Sequence, residues 1–105
     1  MPETQATVSD WADHAFGTAS SNMRIATRVN EEMAELLRAL SVDDNNPQAA
    51  EEIADVVIIL YRLARNLGTD LQTEIDRKMT INRKRIWKRD ATGHGYHVRN
   101  KTEFE

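Results

Sequence analysis

Two pairs of acidic residues at helical spacing constrain the fold of this chain more than any other feature. Glu32 and Glu35 are three positions apart, and so are Glu52 and Asp55. Residues at this spacing lie on neighbouring positions of one helix face, so each pair predicts a helix with two carboxylates on one side. Two such helices packed antiparallel can bring all four carboxylates together, and oxygen-only ligands of this kind suit Mg²⁺ or Mn²⁺.

Both pairs border apolar helix faces. On a helical wheel, the second pair lies beside a core stripe formed by Ile53, Val56, Val57, Leu60, Ala64 and Leu67. The first pair lies beside a stripe formed by Ala26, Val29, Met33, Leu36, Leu37 and Leu40. Ionised carboxylates at the border of a core are costly unless cations or metal ions pair with them. No Lys or Arg at helical spacing matches Glu52 or Asp55, so the pattern favours a metal site over solvated helix faces.

Capping residues and helix breakers predict an all-α chain of four helices. The first is a short helix over about residues 11–16, capped by Ser9 or Asp10, and the second runs from caps at 18–21 to about Leu40. The third begins at Asn46-Pro47 and stops at Leu67-Gly68, and the fourth runs from a Thr69-x-x-Gln72 capping box to about Arg89. We therefore predict one domain over residues 1–105, with its core at about residues 9–89 and a tail at 90–105.

The net charge of −3 conceals a strong asymmetry. Residues 1–76 contain five arginines and fourteen acidic residues, whereas residues 77–101 contain nine basic residues and one aspartate. An acidic body followed by a basic helix suits a metal cluster and a polyphosphate ligand.

These features make the chain resemble the MazG-like nucleoside triphosphate pyrophosphohydrolases, which are related to the dimeric dUTPases and dCTP pyrophosphatases. Besides the acidic pairs, a Lys78-x-x-x-Asn82-x-x-Arg85 pattern follows on the last helix, as in many relatives. The resemblance covers about residues 20–90. It implies a MazG-like bundle of three longer helices plus a short N-terminal helix, assembled as a homodimer or homotetramer.

The resemblance also implies a reaction, the hydrolysis of a nucleoside triphosphate to the monophosphate and pyrophosphate in nucleotide-pool house-cleaning. The metal ligands that it implies are Glu32, Glu35, Glu52 and Asp55, holding Mg²⁺ or, as an alternative, Mn²⁺. These ions bridge the triphosphate and lower the pKa of a water molecule that attacks the α-phosphorus. Glu35 or Glu31, at the edge of the cluster, is the expected proton acceptor.

Four further residues are expected to bind the substrate. Lys78, Asn82 and Arg85 point the same way on the predicted last helix and are expected to bind the phosphates. Trp11 is a candidate for stacking on the base, although a packing role for it is the more ordinary interpretation. Ile59 stands where certain relatives have a tyrosine, so the base preference of those relatives does not transfer.

Two alternatives remain open from the residues alone. The basic run over residues 77–89, with Trp87 inside it, is also compatible with a non-catalytic adaptor or a nucleic-acid-binding bundle, although we expect most of the run to be a solvated helix end. Ile58 and Tyr61 project away from the core stripe, which predicts either a homo-oligomer or cover by the terminal segments of the same chain.

The sequence also predicts where the protein works. Residues 1–10 lack the basic and apolar regions of a signal peptide, and no apolar run reaches the roughly 18 residues that span a bilayer. There is no cysteine, which excludes disulfides. We therefore expect a cytoplasmic protein with no membrane partner.

Overall fold

The computed structural model describes residues 2–98 and confirms an all-α protein. Its elements are α1 (Gln5–Phe16), α2 (Asn22–Val42), α3 (Gln48–Asn66), α4 (Leu71–Lys84), β1 (Trp87–Arg89) and β2 (Gly95–His97). The chain, which we predict to be one domain, falls into two compact units, Met1–Thr73 and Glu74–Glu105. None of the described helices is long and apolar enough to cross a membrane.

The first unit is built on α3, which packs against both α2 and α1. Val56 and Ala64 of the predicted α3 stripe are buried, and so are Ile25 and Ala49, which lie outside the predicted stripes. Leu37 and Ile53 belong to those stripes, yet they are exposed in the single chain. The predicted ends of α3 are confirmed within a residue or two: the amide of Gln48 donates to Asn46 Oδ1 at 3.0 Å, and Gly68 has φ 79°.

Helix α1 begins six residues earlier than we predict. Its cap is Thr4, which accepts from the Thr7 amide and in turn donates its own amide to the Thr7 hydroxyl, a reciprocal pair that satisfies exposed donors of the first turn. Gly17 ends the helix as predicted, with φ 75° and its amide bonded to the Asp13 carbonyl. This is the left-handed region of the backbone, which glycine adopts without strain.

The start of α4 is connected to α1 through Gln5. The Gln5 side chain donates to the Thr69 carbonyl and accepts from the Leu71 amide, both at 2.8 Å. Asp70 caps the first turn by accepting from the Thr73 amide at 3.1 Å. Helix α4 therefore begins at a defined position, close to where the sequence predicts it.

The second unit differs from our prediction, because α4 ends at Lys84 and a β-hairpin follows. Trp87 pairs with His97 across the hairpin, and Lys88 pairs with Tyr96. Asp90 closes the turn by accepting from the Thr92 amide and hydroxyl and from the His94 amide. From residue 90 to residue 98, the predicted tail therefore contains the turn and the second strand of the hairpin, and residues 99–105 lie outside the described residues.

Candidate functional site

Helices α2 and α3 bring three of the predicted carboxylates together. Glu32 lies on α2, and Glu52 and Asp55 lie one turn apart on α3. One oxygen from each residue lies within 4.8 Å of the others. Glu32 and Glu52 are half-buried, while Asp55 is exposed at the mouth of the cluster. The grouping follows from the antiparallel packing of two helices that each place acidic residues beside the shared core.

The negative charge of this cluster is only partly compensated. Partial loss of water, followed by repulsion from Asp55, Glu35 and Glu32, raises the pKa of Glu52 above its ordinary value of 4.5. Within residues 2–98, no Lys or Arg forms an ion pair with Glu52 or Asp55. Three carboxylate oxygens that repel one another fit a hard divalent cation, which would offset two of their three negative charges.

Glu31 and Glu35, the expected proton acceptors, lie beside the cluster on α2. Glu31 accepts from Arg28 at 2.8 Å, and the other arm of the same guanidinium reaches Glu32, also at 2.8 Å. Glu35 is exposed and lies 3.6 Å from Arg38, outside the group of three carboxylates that approach within 4.8 Å. The intrahelical pairing of Arg28 with Glu32, predicted from their i, i+4 spacing, is therefore present.

A cavity of about 680 Å³ opens beside the carboxylates, and every residue around it belongs to the first unit. Glu31, Glu32 and Asp55 form its acidic end. The remaining wall contains three arginines, Arg24, Arg28 and Arg62, and a larger set of mainly apolar residues: Trp11, Ala12, Phe16, Gly17, Ala19, Ile25, Ile58 and Ile59. A cavity lined by charged, aromatic and aliphatic side chains suits a ligand that has both charged and apolar parts, such as a nucleotide.

Trp11, the candidate for base stacking, lies at this cavity. Its ring meets Phe16 edge to face, with centroids 5.3 Å apart and an angle of 78° between the planes. Trp11 is 56% exposed and Phe16 is 64% exposed, so both rings keep open surface. Ile58, which we predict to project away from the core, also lines the cavity.

The contacts of Arg62 with α1 are not among our predictions. Arg62 lines the cavity and bonds to Asp13 and to the Gly17 carbonyl, while Arg65 bonds to Asp13 and Asp10. A signal was present, because Asp10 and Asp13 on α1 have the same three-residue spacing as Arg62 and Arg65 on α3. Matching pairs of opposite charge on two helices indicate a contact between them.

The expected phosphate-binding residues lie in the second unit. Lys78 is exposed on α4, and the Asn82 carbonyl accepts from the indole nitrogen of Trp87 at 2.8 Å. Arg85 follows the end of the helix, with its amide bonded to the Asn82 carbonyl at 3.2 Å. The prediction that Arg85 continues the helical stripe is therefore wrong, and the basic run is divided between α4 and the hairpin.

Comparison with known proteins agrees with this architecture. Residues 25–96 match the MazG-like family. A dATP/dGTP diphosphohydrolase of Salmonella phage PMBT28 is 35% identical over 98 residues, which are 93% of this chain and 31% of that protein. The chain thus spans about a third of the length of that relative. A dATP/dGTP diphosphohydrolase of Cyanophage S-2L is 31% identical over 93% of this chain and 88% of its own length.

A solved structure extends the comparison to three dimensions. The Cyanophage S-2L MazG-like pyrophosphohydrolase, bound to dGDP and three catalytic Mn²⁺ ions per active site, has 29% sequence identity and a TM-score of 0.72. The likeness covers 92% of this chain and 91% of that one. With the family match over residues 25–96 and the paired acidic helices, this shows that the chain belongs to the MazG-like family.

Proposed function

We propose that this protein hydrolyses purine deoxynucleoside triphosphates to the monophosphate and pyrophosphate, with Mg²⁺ or Mn²⁺ as cofactor. The observation that carries the proposal is the trio Glu32, Glu52 and Asp55, two members of which, Glu32 and Asp55, line a nucleotide-sized cavity. The activity in the names of the two phage relatives supports it, and so do the dGDP and Mn²⁺ bound by the structural neighbour.

The metal ligands that we propose are Glu32, Glu52 and Asp55, with Glu35 completing the set from the next turn of α2. A divalent cation held there would neutralise phosphate charge and lower the pKa of a water molecule. The raised pKa of Glu52 fits this role, because a cation relieves the repulsion that the neighbouring carboxylates exert on it. Neither Mg²⁺ nor Mn²⁺ is favoured over the other by an all-oxygen donor set.

The proposed reaction also needs a group that accepts the proton of water and groups that bind the leaving pyrophosphate. A carboxylate oxygen of Glu35 or Glu31 accepts the proton of the attacking water, whose oxygen bonds to the α-phosphorus. The bond from the α-phosphorus to the oxygen that bridges it to the β-phosphate breaks, and pyrophosphate leaves with the bonding electron pair. Lys78, Asn82 and Arg85 are the residues that we propose to bind its phosphates, as the sequence pattern predicts.

The aromatic end of the cavity is the proposed nucleoside site. Trp11 and Phe16 offer ring faces and edges, and Ile58 and Ile59 supply aliphatic walls. Aromatic stacking is suited to large purine bases, since the energy of the contact grows with the overlapping ring area. A house-cleaning role and assembly as a homodimer or homotetramer complete the proposal.

A panel of nucleotides tests this function. The purified protein is incubated with Mg²⁺ or Mn²⁺ and each of the four deoxynucleoside triphosphates, and pyrophosphate and orthophosphate are measured separately. We expect pyrophosphate release that is fastest with dATP and dGTP and absent in a chelator. Orthophosphate as the first product, or no release from any triphosphate together with tight, salt-sensitive oligonucleotide binding, would refute it.

A further inference from the structure

Two arginines of α3 join the same aspartate of α1. Arg62 Nε donates to Asp13 Oδ1 at 3.3 Å, and Arg65 Nη2 donates to Asp13 Oδ2 at 3.0 Å. Each arginine also bonds elsewhere on or beside α1: Arg65 to the Asp10 carboxylate, and Arg62 to the Gly17 carbonyl. The two side chains thus make comparable connections between α1 and α3.

Of these two arginines, Arg62 alone lines the cavity and contacts an aromatic ring there. Its guanidinium carbon lies 5.9 Å from the centroid of the Phe16 ring, within the range of a cation–π contact. Phe16 in turn meets Trp11 edge to face, with centroids 5.3 Å apart. A continuous set of contacts therefore runs from Asp13 through Arg62 and Phe16 to Trp11.

The burial of these side chains shows which one is held in place. The Arg62 side chain is only 12% exposed, and its bonds to Asp13 and to the Gly17 carbonyl compensate its removal from water. Phe16 and Trp11 are more than half exposed, so packing alone leaves both rings free to change rotamer. Arg62 is the cation that contacts the Phe16 ring, and it also bonds to the turn at Gly17, directly after Phe16.

We infer that Arg62 is a positioning residue for nucleoside recognition, an inference that rests on the proposed function. By fixing the Gly17 turn and the Phe16 ring, Arg62 holds Phe16 and Trp11 as a rigid surface for the base. A preformed surface binds a base more tightly, because the rings lose no further conformational freedom on binding. Arg62 acts through these rings and makes no contact with the phosphates.

Arg62→Gln and Arg65→Gln form a matched pair that tests the inference. Both variants lose an ion pair with Asp13, so we expect similar decreases in melting temperature by circular dichroism. Only Arg62→Gln should raise KM for dGTP, by about tenfold, on the order of one base–aromatic stack, with kcat unchanged. Arg65→Gln should keep the wild-type KM, since Arg65 does not line the cavity.

Inorganic tripolyphosphate distinguishes recognition of the base from recognition of the phosphates. As a competitive inhibitor without a base, it should inhibit wild type and both variants with the same inhibition constant. Phe16→Leu, which keeps every Arg62 ion pair, should raise KM as Arg62→Gln does, and the double variant should show no further increase. If Arg62→Gln does not fold, Phe16→Leu still tests the inference by itself, because a wild-type KM for dGTP in that variant would overturn it.

Three results would overturn the inference. Equal KM values in the Arg62 and Arg65 variants would mean that α1 needs only general anchoring. A parallel increase in the tripolyphosphate inhibition constant would place Arg62 on the phosphates, and additive effects in the double variant would separate Arg62 from Phe16. If wild type hydrolyses no triphosphate, the proposed function fails. The inference is then tested by binding: the Trp87→Phe background leaves Trp11 as the one tryptophan, and quenching of its fluorescence by dGTP shows whether Arg62→Gln weakens binding.

Discussion

The acid–base chemistry of Glu52 depends on its neighbours. Its carboxyl group loses water and is repelled by the carboxylates of Asp55, Glu35, Glu32 and Glu51, and both effects raise its pKa above 4.5. A carboxyl group with a raised pKa in the folded state binds protons more readily there than in the unfolded chain. Without a divalent cation, its contribution to stability is therefore fully present below its ordinary pKa and is lost as the pH rises through the folded-state value.

Glu52→Gln should reverse this loss. In a chelator at about pH 7, we expect the variant to melt at a higher temperature than wild type, because the amide removes the like-charge repulsion. The difference should shrink as the pH falls to about 4, where Glu52 is protonated in wild type as well. Thermal unfolding across this pH range, with Glu51→Gln as control, measures the effect. Identical melting curves at every pH would contradict it.

At the scale of the elements, the sequence predicts helices best where local signals act alone. Pro47 and Gly68 bracket α3, and Ser21 caps α2 as expected. The start of α1 was missed because a pair of threonines and a long-range bond from Gln5 stabilise it. The end of α4 was missed because Arg and Lys favour helix, whereas the Asp90 turn is stabilised by contacts beyond that run.

In the candidate site, too, local patterns predict some residues and do not predict others. The three-residue spacing and the apolar faces on α2 and α3 are sufficient to predict that Glu32, Glu52 and Asp55 lie together. Arg62 has no such local signal, because its partner Asp13 is 49 positions away on another helix. Contacts of this kind depend on how α1 packs on α3, which helical periodicity does not specify.

Asp90 should control the hairpin. Bonds from the Thr92 hydroxyl and from the His94 and Thr92 amides lower the pKa of Asp90 below its ordinary value of 3.8. Its contribution to stability is therefore present above pH 3.8 and is lost as the pH falls through the folded-state pKa. Asp90→Ala should weaken the cross-strand proton contacts between Trp87 and His97 in NMR spectra at neutral pH. Unchanged contacts would show that the strand pairing suffices without the turn.

Alanine variants at four basic positions of the second unit test whether Lys78 and Arg85 bind phosphate. Lys78→Ala and Arg85→Ala should each lower kcat/KM, which corresponds to a loss of about 2 to 4 kcal/mol of transition-state stabilisation, as expected for loss of one charge-stabilising donor. The affinity for the divalent metal should not change. Arg83→Ala and Lys88→Ala remove the same charge at positions outside the expected phosphate site and should have little effect. Equal losses in all four variants would mean that only general positive charge matters.

At the scale of the whole molecule, the exposed apolar side chains support the expectation of an oligomer. Phe16, Leu37, Ile53 and Ile86 are among the large apolar residues with more than half of their surface exposed in the single chain. Assembly of two or more copies of the chain would cover part of this apolar surface.

Sedimentation equilibrium tests that expectation. We expect a mass that is two or four times the 12.0 kDa of one chain, together with a melting temperature that rises with protein concentration. The same experiment with Ile53→Glu, which places a charge on an exposed part of α3, tests whether this residue lies at the interface. A wild-type chain that remains monomeric at all concentrations would refute the assembly.

The most direct test of the metal centre is pyrophosphate release from dGTP by wild type, Glu52→Gln, Asp55→Asn and the control Glu51→Gln, at saturating Mg²⁺ or Mn²⁺. Loss of one proposed ligand should lower turnover by about a hundredfold or more, while helical circular dichroism is retained. Glu51→Gln should remain close to wild type, because Glu51 lies outside the group of three carboxylates. Near-normal turnover in both ligand variants would contradict the account.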